Sequence, residues 1–149
     1  MRIINRKFGR EYQILDKFEA GISLIGAEVK SVRTKQMRLE NSFVKLIGDE
    51  AYLINAEIPV YKFSRPTGYD PKRTRKLLLH KAELLRLKGK MASGSHLTIA
   101  PSACYNKGPL FKIEVALVKS RGEIGKKKLE KGRDIKRDQE KMAKEYMKT

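Results

Sequence analysis

Alternating apolar and polar side chains around glycine turns, a helical stripe between them and a strongly basic composition together predict a mainly β protein with short helices. The alternation is clearest in SFVKLI and AYLINAEI, which flank Gly48-Asp49-Glu50, and in the runs either side of Asn106-Lys107-Gly108-Pro109. A glycine with polar neighbours between two such runs suits a tight hairpin turn. The stripe lies in Tyr69–Lys90, where Leu84, Leu87 and Met91 fall at helical spacing. From Lys72 to Lys90 eight Lys/Arg face one glutamate, and the 149 residues together carry a formal charge of +17. That excess opposes compaction unless a partner neutralises it, and it favours nucleic acid or an anionic membrane surface.

Each element follows from local pattern. Residues 1–11 are basic, with Arg2, Arg6, Lys7 and Arg10 around Phe8-Gly9. They read as an arm that orders on meeting the domain or its ligand, or as an ordinary flexible terminus. Tyr12–Leu24 alternates as a strand, and Ala20-Gly21 within it predicts a bulge or sharp bend. Ile25, Val29 and Val32 at i, i+4 and i+7 predict a short helix over Gly26–Arg33, with Glu28, Lys30 and Arg33 on its other sides. Asn41–Ile58 is the first hairpin, stopped by Pro59. Residues 60–74 form a loop carrying Lys62, Arg65, Lys72 and Arg73. Leu77–Leu79, apolar on both parities, is a buried strand end or the start of a helix. His80-Lys81-Ala82-Glu83 resembles a capping box with an atypical cap, and its helix is expected to end near Gly89. Ser93-Gly94-Ser95 connects to the second hairpin, Leu97–Tyr105 and Leu110–Ser120, where Phe111, Ile113, Val115 and Leu117 share a face. Strand, helix, hairpin, helix and hairpin is the order of an OB-like antiparallel β-barrel, a fold whose face and loops bind nucleic acids. An open α+β sheet gives much the same string.

The barrel is expected over residues 1–119 and a basic C-terminal tail over 120–149. Residues 119–149 hold twelve Lys/Arg against six Asp/Glu, with almost no β-branched or aromatic side chains. Such a segment buries too little apolar area to offset its ordering entropy, so it is expected to be disordered alone and helical on an RNA surface, or else merely solubilising. No window approaches 18 consecutive apolar residues, which excludes a spanning helix, and the basic N-terminus has no apolar core of a secretory signal. One thiol, Cys104, fits a reducing cytoplasm. Two isolated histidines give no metal-ligand cluster: His80 reads as the residue before a helix and His96 as a solvated strand start. There is no glycine-rich phosphate loop and no nucleophile elbow, and Glu28, Asp70 and Glu83 are scattered. No enzyme, cofactor or metal is expected. A binding role has more support, since Lys and Arg set affinity for phosphates and aromatics offer stacking platforms. Tyr12, Phe43, Tyr52, Tyr61, Phe63 and Tyr105 lie on or beside strands. Most should pack in the core, leaving one or two to stack.

Read together, FEAGISLIGAEVKSVR, LENSFVKL, DPKRTRKLLLHKAEL, LTIAPSACY and FKIEVALVK resemble, in that order, the SsrA-binding protein (SmpB) family over about residues 5–149. The resemblance implies an OB-like barrel that binds transfer-messenger RNA at its tRNA-like domain and enters stalled bacterial ribosomes in trans-translation. It implies as partners that RNA, the small-subunit decoding region and mRNA channel, and, through the RNA, alanyl-tRNA synthetase and elongation factor Tu. By likeness the RNA-facing residues are Asn5, Arg6, Lys7, Arg10, Glu28, Lys30, Arg33, Lys119 and Arg121. The tail that probes the empty channel would use Lys126, Lys127, Lys131, Arg133, Ile135, Lys136 and Arg137. Two positions depart from the family's pattern: Arg10 stands where a histidine is usual, and Ile124-Gly125-Lys126-Lys127 stands for a Tyr/His-Asp-Lys-Arg phrase. The competing reading is a generic OB-fold RNA binder or structural ribosomal protein.

Overall fold

The computed structural model describes residues 1–61, 68–94 and 96–121. In chain order these form β1 (Arg2–Ile4), α1 (Phe8–Glu11), β2 (Tyr12–Ile22), α2 (Gly26–Arg33), β3 (Phe43–Ile47) and β4 (Glu50–Ile54). There follow β5 (Arg75–Leu78), α3 (Lys81–Ser93), β6 (Leu97–Lys107) and β7 (Leu110–Ser120). The strands run β1-β6-β3-β4-β5-β2-β7, and β6 also pairs with β7, so the sheet closes into a ring with β1 laid along β6. All pairings are antiparallel. The mainly β class with short helices is observed.

Both hairpins turn through two residues, Gly48-Asp49 and Gly108-Pro109, with φ of 60° and 61° at the glycines. A positive φ at the first loop position matches the twist of the flanking strands and costs glycine nothing. The strand β2 pairs with β7 as far as Gly21 and with β5 at Gly21 and Ile22. Gly21 therefore carries two ladders, and a methyl group there would lie 3.3 Å from Leu78 Cβ. At Ala20-Gly21, where the sequence predicts a bulge or sharp bend, β2 passes from one ladder to the other, and the register shift lies between Ile14 and Asp16, leaving Ile14 and Leu15 both exposed.

The core fills the ring, with Leu39, Leu53, Ile58, Leu87, Ile99 and Ile113 among its fully buried side chains. The shared face of β7 is buried as expected, at Phe111, Ile113, Val115 and Leu117. A second, smaller cluster lies outside the ring: Phe8 of α1 packs on Ala100, Ala116 and Val118, with Tyr12 beside it. The sequence reading holds at both ends of the described fold and is corrected at β5 and α3. Residues 2–4 are ordered against the domain as a strand beside β6, with Ile3 buried opposite Cys104, in line with an arm that orders on the domain rather than a flexible terminus. The stretch 75–78 is a strand whose inward set is Arg75 and Leu77, while Leu78 is 57% exposed. The helix α3 runs through Gly89 to Ser93. The strand β7 spans Leu110–Ser120, as the alternation predicts. Lys62, Phe63 and Arg65, and the tail residues Lys126, Lys127, Lys131, Arg133, Ile135, Lys136 and Arg137, lie outside the described residues.

Candidate nucleic-acid interface

Three surfaces inherit the sequence's cations, and the sheet register decides which of them meet. The ladder between β2 and β7 sets Tyr12 opposite Ser120 and Gln13 opposite Lys119. The Arg121 N–H then donates to Glu11 O at 2.8 Å, so the chain leaving β7 is tied to the end of α1. Phe8 and Tyr12, with rings 5.6 Å apart, seat α1 on the outer apolar cluster. Exposed Arg10 and Lys119 and half-buried Arg121 are thereby gathered at one edge, next to Arg6 and Lys7, which are exposed at the turn into α1. Among the described residues Arg121 Nε is buried without an acceptor. A buried donor in that state costs free energy until an anion or water satisfies it.

Asn5 and Glu28, both expected to face RNA, are buried in the fold. Asn5 is 5% exposed: its Nδ2 donates to Pro101 O at 2.9 Å and Leu39 O at 3.4 Å, and its Oδ1 accepts the Lys7 N–H. Its side chain ties the turn before α1 to β6. Glu28 has no exposed surface. Its carboxylate takes the Ile25 N–H at 3.0 Å, capping α2, since isoleucine has no acceptor to offer in return. It also takes Arg73 bidentately, Arg75 Nε at 2.6 Å and the Tyr69 hydroxyl at 3.2 Å. Fully buried Arg75 is completed by the carbonyls of Ala56, Pro71 and Arg73. Burial alone would raise the Glu28 carboxyl, but the Arg73 hydrogen bond, the Ile25 N–H and the Arg75 charge outweigh it and hold it below its ordinary value of 4.5. Glu28 is thus a structural anion, joining α2 to β5 and the segment before it. Exposed Lys30 and Arg33 leave α2 on its solvent side, with Lys30 Nζ 5.7 Å from the Tyr61 ring centre.

Beside this edge lies an open groove of about 840 Å³ that the sequence reading did not assemble. Arg2, Arg6, Lys35, Arg38 and Lys72 line it, against the two carboxylates Glu40 and Glu57. Its far wall is strapped by Arg38 and Glu57, which exchange backbone hydrogen bonds of 2.9 and 3.1 Å. Asn55 Nδ2 donates to Asn41 O at 3.0 Å across the lining. One signal in the sequence pointed here: Lys30, Arg33, Lys35 and Arg38 form a run of four cations with no acid between Glu28 and Glu40.

Most other cations of the described surface are neutralised. On α3, Lys88 pairs with Asp49, and Arg86 and Lys90 both pair with Asp16. On the sheet, Lys76 pairs with Glu50, Lys107 with Glu19 and Lys17 with Glu114. Two of the six candidate aromatics are engaged as well: the Tyr105 hydroxyl donates to Glu19 with Arg2 over its ring, and the Tyr52 hydroxyl donates to Glu50. Phe43 remains 40% exposed. His80 caps α3, with Glu83 returning to its N–H at 3.3 Å, and His96 is exposed ahead of β6 at φ 60°. Cys104 is a buried free thiol that burial pushes up to about 12, so it stays protonated and unreactive.

A closed antiparallel ring with cations gathered along one edge and an adjoining groove defines a small polyanion-binding β protein. Relatives narrow the class. A sequence model of the family described as SmpB protein matches residues 2–145. An SsrA-binding protein of Sulfurihydrogenibium sp. (strain YO3AOP1) is 45% identical over 137 residues, covering 92% of this chain and 90% of that one. That of Elusimicrobium minutum (strain Pei191) is 43% identical over 137 residues, covering 92% and 87%. A solved structure described as "tmRNA-SmpB: a journey to the center of the bacterial ribosome" superposes with a TM-score of 0.68 at 38% identity, over 82% of this chain and 85% of the other. The chain belongs to the SmpB protein family.

Proposed function

We propose that this chain binds transfer-messenger RNA, the SsrA RNA, and delivers it to stalled ribosomes in the cytoplasm for trans-translation, acting by binding and not by catalysis. Its curated relatives are SsrA-binding proteins, and a solved neighbour is described with that RNA and the bacterial ribosome. The observation that carries the reading to particular residues is the β2–β7 register, which sets Lys119 and Arg121 beside Arg10, Arg6 and Lys7. These cations contact phosphates, and Arg121 Nε finds its acceptor there. Lys30 and Arg33 extend the surface from α2, with Glu28 fixing that helix and Asn5 fixing the turn before α1. Lys126, Lys127, Lys131, Arg133, Ile135, Lys136 and Arg137 of the tail contact the ribosome and probe the empty mRNA channel.

Equilibrium binding at physiological salt tests the reading. The chain should bind transfer-messenger RNA well ahead of an unrelated hairpin RNA of equal length. The Arg10→Ala/Lys119→Ala/Arg121→Ala variant should lose most of that preference. Equal affinity for both RNAs would overturn the specific reading.

A further inference from the structure

We propose that the groove between β1 and the segment after α2 is a second nucleic-acid site, one that takes a short unpaired RNA segment. The inference rests on the reading above only in taking RNA as the class of partner. Three independent features meet in the groove.

The first is charge left without a counter-charge. Arg6, Lys35, Arg38 and Lys72 line the groove, and no described residue forms an ion pair with any of them, while Arg86, Lys88 and Lys90 of α3 and Lys76 and Lys107 of the neighbouring sheet are paired. Glu40 and Glu57 share the same lining without closing on these cations, so the groove keeps an excess of positive charge. Low-dielectric walls around such an excess concentrate an anion's attraction to it.

The second is backbone strain. Among the described residues, four that are not glycine have positive φ, and three of them, Lys35 at 60°, Asn41 at 65° and Asn55 at 67°, line this groove. Side chains other than glycine adopt that region at a cost, and strained positions cluster at ligand sites. Here the turns at Lys35 and Asn41 bring the segment 35–41 back past Arg38, which is bridged to Glu57, so that its cations face β1.

The third is shape and chemistry. A volume of about 840 Å³ lies in the range of small-ligand sites, roughly 300–1,000 Å³. It admits a nucleotide or two of an extended strand and is too small for a duplex. Asn41 and Asn55 supply amides able to pair with base edges, and Ile4, 59% exposed, gives an apolar surface for a base face. Cations spaced around amides and an apolar strip suit alternating phosphates and bases better than an acidic peptide, which offers no flat rings.

The test measures full-length protein against fluorescein-labelled oligoadenylate across a salt series, with a blunt RNA duplex as the second probe. Lys35→Ala/Arg38→Ala/Lys72→Ala should weaken oligoadenylate binding about tenfold or more. At about 0.7 per phosphate contact on single strands, losing three contacts should also shallow the salt slope by about 2. Removing equal charge elsewhere, as Lys45→Ala/Lys81→Ala/Lys112→Ala, should change the affinity by less than about threefold, because only the general field is lost. A second measurement needs no variant: bound oligoadenylate should shield Lys35 and Lys72 from amine acylation and leave Lys45 and Lys81 reactive. Equal losses in the two triple variants, tighter binding of the duplex than of the single strand, or unprotected Lys35 and Lys72 would each overturn the groove. Transfer-messenger RNA binding by the Arg10/Lys119/Arg121 variant is read separately. The main proposal can therefore fail while the groove stands, and the reverse.

Discussion

Glu28 meets two guanidiniums, one of them fully buried, and that sets what its loss should do. Desolvating three ions is expensive, and the interior pays it only because Arg75 is also bound by three carbonyls and Arg73 bidentately by the carboxylate. Removing one partner of a buried pair strands the other, at about 3–5 kcal/mol. Glu28→Gln should therefore lower the unfolding free energy by about that much near pH 7, read by denaturant titration. Its carboxyl is held below the ordinary 4.5, so the unfolded chain takes up a proton first as pH falls. The stabilisation is complete above pH 4.5 and is lost as pH drops through the lower folded value, and the gap between wild type and Glu28→Gln should narrow there. A gap that stays constant down to acid pH would show that the charge is not what Glu28 contributes. The cations of the interface were legible residue by residue in the sequence. The burial of Glu28 and Asn5 was not, because their partners lie far along the chain: Arg73 and Arg75 are 45 and 47 residues from Glu28, and Pro101 is 96 from Asn5.

At the scale of elements, α3 shows how a local breaker is overruled. Gly89 suggested a helix end, yet α3 continues to Ser93 because both flanks are anchored: Leu87 is fully buried in the ring, and Lys90 binds Asp16 Oδ2 at 2.5 Å. Gly89 itself is exposed, and a methyl group there would meet nothing within 4 Å. Gly89→Ala should accordingly raise stability by about 0.5–1 kcal/mol, a shift of a few degrees in Tm by calorimetry, through reduced freedom of the unfolded chain. A loss of stability would mean that the helix breaks at this residue. The same balance explains which elements could be read from sequence. The hairpins and α2 announce themselves because period, turn glycines and length agree. The strand β1 has only three residues, too few for alternation to register, and β5 hides because its inward side chains are an arginine and a leucine. Arg75 points inward only because Glu28 waits there, a fact of tertiary structure that no window of hydrophobicity contains.

Over the whole molecule, a formal charge of +17 is less evenly spread than the composition suggests. The acids Asp16, Glu19, Asp49, Glu50 and Glu114 neutralise α3 and much of the sheet, while Glu28 serves the interior. Among the described residues Arg6, Lys35, Arg38 and Lys72 of the groove and Lys119 at the end of β7 form no ion pair, and all lie within residues 1–121. Residues 122–149 hold ten Lys/Arg and six Asp/Glu, so a chain ending at Arg121 loses +4 and keeps +13. If RNA is held by the ring, most of the phosphate contacts survive that truncation. Six to ten contacts imply that affinity falls by about 10³–10⁵ between 50 and 200 mM salt, and the truncated chain should show nearly the same slope as the full one. Tagging of stalled nascent chains should be abolished in the same truncated protein if, as proposed, contact with the ribosome is the tail's part of the work. Parallel binding curves with tagging lost would separate holding the RNA from reading the ribosome. Collapse of the salt slope on truncation would move the RNA contacts into the tail and leave the edge formed by Arg10, Lys119 and Arg121 without its proposed role.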